Sequence, residues 1–179
     1  MTTDESAKLD VGEAARAWWH DLNRPPEQGG RDRASLAELK RSYDPLDIAF
    51  VSAFGRLRHG LKAYSEWRLR RAAMIAHVLA HVREDDGRPM AQALGPQQGD
   101  EGAAMSEARF RRLLQARDDA DLTRRLVRAV KMLKGKANVA DLASAIWWWN
   151  DRTRQKWAFR YLNAEPPRAP KPTASEDAA

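Results

Sequence analysis

The side chains in this sequence best placed to do chemistry are regularly spaced cations. Arg124, Arg128 and Lys131 occur at positions i, i+4 and i+7, a spacing that puts three side chains on one face of a helix, away from its leucines. Such a row suits a phosphate backbone, because each neutralised phosphate releases condensed counterions. The row therefore predicts electrostatic contact with a nucleic acid.

The candidate binding residues extend well beyond this row. Residues 106–136 carry ten basic and four acidic side chains, and their net charge of +6 equals that of the whole chain. A solvated helix face normally intersperses acids among its cations, so their scarcity here favours binding. A second basic edge follows residue 150, and a smaller cluster lies between residues 56 and 71. The complete set of candidates for nucleic-acid binding is Arg109, Arg112, Arg117, Arg124, Arg125, Arg128, Lys131, Lys134, Lys136, Arg152, Arg154, Lys156, Arg56, Arg58, Arg68 and Arg71.

Seven tryptophans offer a second kind of contact. An exposed indole can stack on an unpaired base, whereas a buried one packs between helices. Their recurrence among Leu, Ile and Ala favours the core. Neighbours in the run Trp147-Trp148-Trp149 turn by about 100° on a helix, so at least one of the three is expected to face outward.

No catalytic or metal-binding constellation is evident. His77 and His81 have the i, i+4 spacing of a metal pair, but only Asp85 and Asp86 lie near them in the sequence as further ligands. There is no phosphate-binding loop, dinucleotide fingerprint or serine elbow, and most carboxylates occupy helix-capping positions. We therefore expect a protein that is not an enzyme and has no metal and no cofactor.

Cysteine is absent from the chain, which excludes disulfides and thiolate chemistry and makes a reducing cytoplasm the expected location. No run of about 18 apolar residues suggests a membrane span. The expected partners therefore do not include a membrane.

Helix signals recur along the sequence, and strand alternation does not. Helix starts are expected at Asp10, Asp32, Asp44-Pro45, Ser65, Ser106, Asp118, Asn138, and either Asn150 or Asp151. The helix from Asp44 is expected to carry Ile48, Val51 and either Phe54 or Leu57 on one face, and the helix from Ser65 to reach Glu84. A short helical turn is expected at Met90 to Leu94.

These signals predict an all-α fold of about eight helices, arranged as two small helical bundles joined by a loop. The expected boundaries are an N-terminal bundle at 1–84, a connecting loop rich in Gly and Pro at 85–105, a basic C-terminal bundle at 106–163 and a disordered tail at 164–179.

Several stretches resemble a known family. The chain opens with a Trp-rich helix at 16–22, and a Gly-Arg-Pro-Met-Ala segment at 87–91 precedes the basic region. That region begins with SEARFRRLLQAR at 106–117 and ends with WWNDRTRQ at 148–155. These features are similar to the small subunit of the type I-E CRISPR surveillance complex Cascade, the CasB family. The similarity is strongest over residues 85–163.

The resemblance implies an all-α protein of two bundles that assembles in more than one copy along Cascade. The implied partners are the other Cascade subunits, the guide RNA and the target DNA. The implied function is to hold DNA strands of the R-loop without reading sequence, with Arg109, Arg128, Arg152 and Arg154 as contacts. Gln115 and Asp118 depart from the family pattern, where a basic residue stands.

Two other functions remain open from the sequence. One is a free-standing helix-turn-helix regulator, which would require base-reading side chains on a recognition helix and a dimer that matches half-site spacing. The other is a helical scaffold whose basic face meets an acidic protein.

Overall fold

The computed structural model describes residues 9–97 and 102–162. Within those ranges the chain forms ten α-helices, one 3-10 turn (Pro26–Gln28) and two strands of two residues each. The helices are α1 (Val11–Leu22), α2 (Arg33–Arg41), α3 (Pro45–Ala49), α4 (Phe54–Gly60), α5 (Glu66–Ala80), α6 (Met90–Leu94), α7 (Glu107–Leu114), α8 (Asp119–Met132), α9 (Val139–Trp147) and α10 (Asp151–Tyr161), and the strands are β1 (Glu84–Asp85) and β2 (Lys136–Ala137). The predicted all-α class is confirmed. In the same ranges no helix combines the length and the apolar character that a membrane span requires.

Side-chain caps explain where most of the helices begin. Asp10, Asp32, Asp118, Asn138 and Asn150 each accept a hydrogen bond from the backbone N–H three residues later, at 2.7–3.1 Å. These bonds satisfy N–H groups that have no partner within the first helical turn. The predicted starts of α1, α2, α8, α9 and α10 are therefore confirmed.

Two of the predicted helices end earlier than expected. The segment that starts at Asp44 stops at Ala49, where the N–H groups of Phe50 and Val51 bond to carbonyls three residues back, and α4 begins at Phe54. Ile48, Val51, Phe54 and Leu57 are all buried nonetheless, because the break reorients the second helix toward the same core. α5 ends at Ala80, and Glu84 belongs to β1.

A short parallel pairing joins the two strands, with Glu84 opposite Lys136 and Asp85 opposite Ala137. The sequence showed no strand here, since two residues are too few for a detectable alternation. The pairing ties the end of α5 to the turn that follows α8.

One apolar core runs through the described residues. α1 and α5 both pack on α9, α5 also contacts α2, α3 and α8, and α6 packs on α10. These contacts cross the predicted boundary between the bundles at 1–84 and 106–163. The division of the chain into two bundles therefore stays a prediction. The predicted tail at 164–179 lies outside the described residues.

Candidate nucleic-acid interface

α8 carries the central row of cations. Leu122, Leu126 and Val130 face the core, whereas Arg124, Arg128 and Lys131 are exposed on another face. With a rise of 1.5 Å per residue, the row spans about 10 Å. On α7, Phe110 and Leu113 are buried, while the candidates Arg109 and Arg112 are exposed. The amphipathic pattern of each helix thus turns its cations to solvent.

The candidates differ in how they are paired. Arg125 Nε donates to Asp121 at 2.9 Å, Lys136 pairs with Glu84 at 2.9 Å, and Arg154 pairs with Asp151 at 3.0 Å. Arg124 approaches Asp121 only to 3.9 Å. In the described part of the chain, the candidates between residues 106 and 156 that are exposed and form no ion pair are Arg109, Arg112, Arg117, Arg128, Lys131, Lys134, Arg152 and Lys156. An unpaired cation has its full charge available for an external anion, so this group is the core of the candidate site.

The arginines of the smaller cluster between residues 56 and 71 contact other groups of the protein. Arg56 pairs with Asp21 at 2.9 Å, the Arg58 guanidinium lies 5.5 Å from the centre of the Tyr64 ring, and Arg68 donates to the Lys62 carbonyl at 3.3 Å. These contacts leave Arg56, Arg58 and Arg68 exposed at the surface.

Arg71 is the most enclosed of the candidates. Its side chain is only 13% exposed, and it donates to the Ile146 carbonyl at 3.1 Å while pairing with Asp119 at 3.3 Å. It therefore bridges α5, α8 and α9, and we leave it out of the proposed surface.

Three further cations join the end of the α8 row, and sequence reasoning missed them. Burial lowers the pKa of Lys40 on α2, and the nearby cations Arg31, Arg83 and Lys131 lower it further. Their sequence positions carry no signal, because each stands in a segment of mixed charge. Only packing of α2 and α8 around α5 brings them together.

The histidine pair lies beneath this corner. His77 Nδ1 is 2.7 Å from the Leu39 carbonyl oxygen, and the His77 and His81 rings are 5.3 Å apart between centroids. Burial, followed by His77, Lys131 and Lys40, lowers the pKa of His81 to about 4. The described residues contain no group of three or more His, Cys, Asp or Glu side chains able to hold a metal ion, and the surrounding cations disfavour one.

The tryptophans serve mainly as core residues. Trp18, Trp19, Trp147 and Trp157 are buried. Trp148 is 54% exposed, which confirms that one member of the triple run faces outward, and Trp67 is 46% exposed and packs against it with ring centroids 6.3 Å apart. The core prediction therefore holds for these four, and the partly buried Trp149 packs against the same core, whereas Trp67 and Trp148 form an aromatic surface.

A groove of about 1030 Å³ opens beside α3, α5 and the start of α8. Its lining is mainly apolar, with Tyr43, Leu46 and Leu69 prominent, and its four acids outnumber its two cations, Arg70 and Arg124. A lining that is mainly apolar with an excess of acids does not suit phosphate, so this groove is not part of the candidate interface.

Comparison with known proteins agrees with the fold and with the resemblance. Residues 35–162 match the family described as CRISPR-associated protein Cse2. No curated protein sequence matches the chain. The structure is similar, with a TM-score of 0.61 and 20% identity, to a chain in the crystal structure of E. coli Cascade bound to a PAM-containing dsDNA target with a 32-nt spacer. The similarity covers 87% of this chain and 96% of that chain, and it shows that the two share a fold. Because the family match spans most of the sequence, the chain belongs to the Cse2 family of CRISPR-associated proteins, the small subunits of type I-E Cascade also called CasB.

Proposed function

We propose that this Cse2 subunit stabilises the R-loop of Cascade through sequence-independent contacts to a DNA backbone. The observation that carries the proposal is the set of exposed, unpaired cations on α7 and α8, above all Arg109 and Arg128. The family membership supplies the context, in which guide RNA and target DNA are the available polyanions.

The proposed mechanism is electrostatic. Exchange of a DNA duplex for an RNA–DNA heteroduplex is nearly balanced in free energy, so a few backbone contacts can shift it. Cations held on rigid helices would oppose reannealing of the separated strands. Contacts to phosphates carry no sequence information directly, so the same surface serves any target.

The role we propose is not catalytic. The surface consists of guanidinium and ammonium groups, and a guanidinium does not lose its proton in a protein, so it cannot act as a general base. Metal-dependent nuclease activity that persists through repurification of the subunit would contradict this part of the proposal.

The test compares two double variants that lose the same charge from the same helices. R109A/R128A removes two unpaired cations, whereas R111A/R125A removes two that are already paired with Glu107 and Asp121. Both should assemble into Cascade, because surface substitutions usually cost under about 0.5 kcal/mol. Strand opening is then measured against salt, and each lost contact should lower the log–log slope by roughly 0.7–0.9.

We expect R109A/R128A to weaken strand opening markedly and R111A/R125A to weaken it little. If R109A/R128A has an unchanged melting temperature and opens strands like the wild type, the surface is only solvated and the proposal fails. A preference above about 100-fold for one sequence would favour the helix-turn-helix regulator instead, because specific binders gain about 10³–10⁷ over non-specific DNA.

A further inference from the structure

We infer that Lys40, Arg83 and Lys131 form a second phosphate-binding patch, which carries the DNA strand from α8 onto α2. This inference rests on the proposed function, because the patch continues the row Arg124–Arg128–Lys131. We call these three residues the corner patch. It would bind the next phosphates of the same DNA strand.

Packing around the end of α5 brings the corner patch together. Lys40 follows Leu39, whose carbonyl oxygen lies 2.7 Å from His77 Nδ1 on α5. One turn later His81 meets the His77 ring, and α8 packs against the same helix. Lys40 on α2 and Lys131 near the end of α8 therefore both lie close to this histidine pair, because α2 and α8 each pack on α5.

The turn after α8 positions Arg83. The Arg83 backbone N–H donates to the Gly135 carbonyl at 2.8 Å, and the Arg83 side chain lies directly over Gly135. A Cβ added at Gly135 would come within 3.0–3.2 Å of the Arg83 side-chain carbons, and φ there is +85°. Close approach and a positive φ both require glycine at this position. The β1–β2 pairing continues from this contact, so the backbone that carries Arg83 is anchored next to α8.

The three cations of the corner patch form no ion pair with a carboxylate within residues 9–97 and 102–162. Two nearby acids are already engaged: Asp32 caps α2 by accepting from Ser35 N–H at 3.0 Å, and Glu84 pairs with Lys136. Glu38 also lies on α2 and is exposed.

Burial lowers the pKa of Lys40, and the nearby cations Arg31, Arg83 and Lys131 lower it further, which agrees with this description. Like charges held together destabilise the fold unless an anion relieves them. A polyanion fits best, because a strand that already follows the α8 row continues onto the corner patch.

The first test measures binding of a 30-nucleotide thymidine strand to the full chain at several salt concentrations. K40A/R83A should lower the log–log salt slope by about 1.4, which is the loss of two contacts at roughly 0.7 each for a single strand. R70A/R111A, which removes two arginines that are already paired with Glu66 and Glu107, serves as the control for net charge. If K40A/R83A has a lower melting temperature than the wild type, K40Q/R83Q is used instead, because glutamine retains most of the aliphatic part of each side chain.

The outcomes separate this inference from the proposed function. If K40A/R83A keeps the wild-type slope while R109A/R128A lowers it, the corner patch is excluded and the proposed function stands. If neither changes the slope, both are excluded. An oligoglutamate of equal charge that binds as tightly as the thymidine strand, and is weakened equally by K40A/R83A, would overturn the assignment to DNA.

A second test uses His81 as a local reporter. Burial and His77 lower the pKa of His81 most, and Lys131 and Lys40 lower it further, so phosphates placed over those two side chains should raise it. The pKa is followed by NMR of the imidazole, with thymidine strands because thymine does not protonate in the acid range. A His81 pKa that is unchanged at saturating DNA would show that the strand does not reach the corner patch.

Discussion

Arg16 Nε donates a hydrogen bond to Asp85 Oδ2 across 2.6 Å, and this contact joins α1 to β1. The same carboxylate accepts from the backbone N–H of Val139 at 3.0 Å, in the first turn of α9. Asp85 is only 11% exposed. The Asp85 side chain thus connects α1, the strand pair and α9, the helix on which α1 packs.

Asp85→Ala should destabilise the protein by about 2–3 kcal/mol, because it leaves a charged donor and a backbone N–H without their acceptor. Asp85→Asn should cost less, since the amide oxygen can still accept from Val139. Arg16→Ala should cost under about 1 kcal/mol, because that side chain is largely exposed. Chemical denaturation of the three variants measures their free energies of unfolding. An equal cost for Asp85→Ala and Arg16→Ala would contradict the expected order.

Glu107→Gln should strengthen DNA binding. Glu107 holds Arg111 at 2.6 Å, and the Arg111 side chain is 72% exposed. Freeing it adds one unpaired cation beside Arg109 and Arg112, so the salt slope for a single strand should rise by roughly 0.7. The measurement is the same salt titration, with Glu66→Gln, which frees Arg70 on α5, as a control of equal charge. An increase of the same size in both variants would show that only net charge matters.

The buried histidines should make the fold sensitive to acid. The pKa of His81 is about 4 in the folded chain, mainly because of burial, against 6.5 for an unperturbed histidine. Between those values the unfolded chain binds more protons, so stability is complete above about pH 6.5 and falls as the pH drops toward 4. The difference corresponds to roughly 3 kcal/mol, and burial lowers the pKa of His77 as well.

Urea denaturation between pH 7.5 and 4.5 measures this loss. His81→Leu should flatten the pH dependence, whereas His59→Gln should leave it unchanged because His59 is exposed on α4. A wild-type curve that is as flat as that of His81→Leu would contradict the assignment.

Gly95→Ala should disrupt the packing of α6 on α10. A Cβ at this buried position would overlap the carbonyl oxygen of Tyr161, which is a backbone atom and cannot rotate away. We expect the free energy of unfolding to fall by about 1–3 kcal/mol. Gly55→Ala is the matched control, since a Cβ there meets open space in α4 and should be neutral or stabilise by up to about 1 kcal/mol. Thermal melts of the two variants compare them directly.

Local signals in the sequence were sufficient for most of the helix starts and for the position of the positive charge. A cap such as Asp10 or Asn138 acts within three residues, so its effect can be read without knowing the fold. Amphipathic spacing in the same way assigned Leu122 and Leu126 to the core and Arg128 to the surface. The break after Ala49 was missed because Val51, Phe54 and Leu57 kept a helical spacing through it.

The tertiary structure alone decided which of these charges are free. Arg71 and Arg128 look equivalent in the sequence, yet Arg71 is enclosed by Asp119 and the Ile146 carbonyl, while Arg128 is exposed and unpaired in the described part of the chain. Lys40 and Lys131 are far apart in the sequence and become neighbours only where α2 and α8 pack around α5. The sequence by itself determined the all-α class and its basic helices, because capping and amphipathicity act over a few residues. Packing determined the proposed binding surface, because the availability of a charge depends on groups that are distant along the chain.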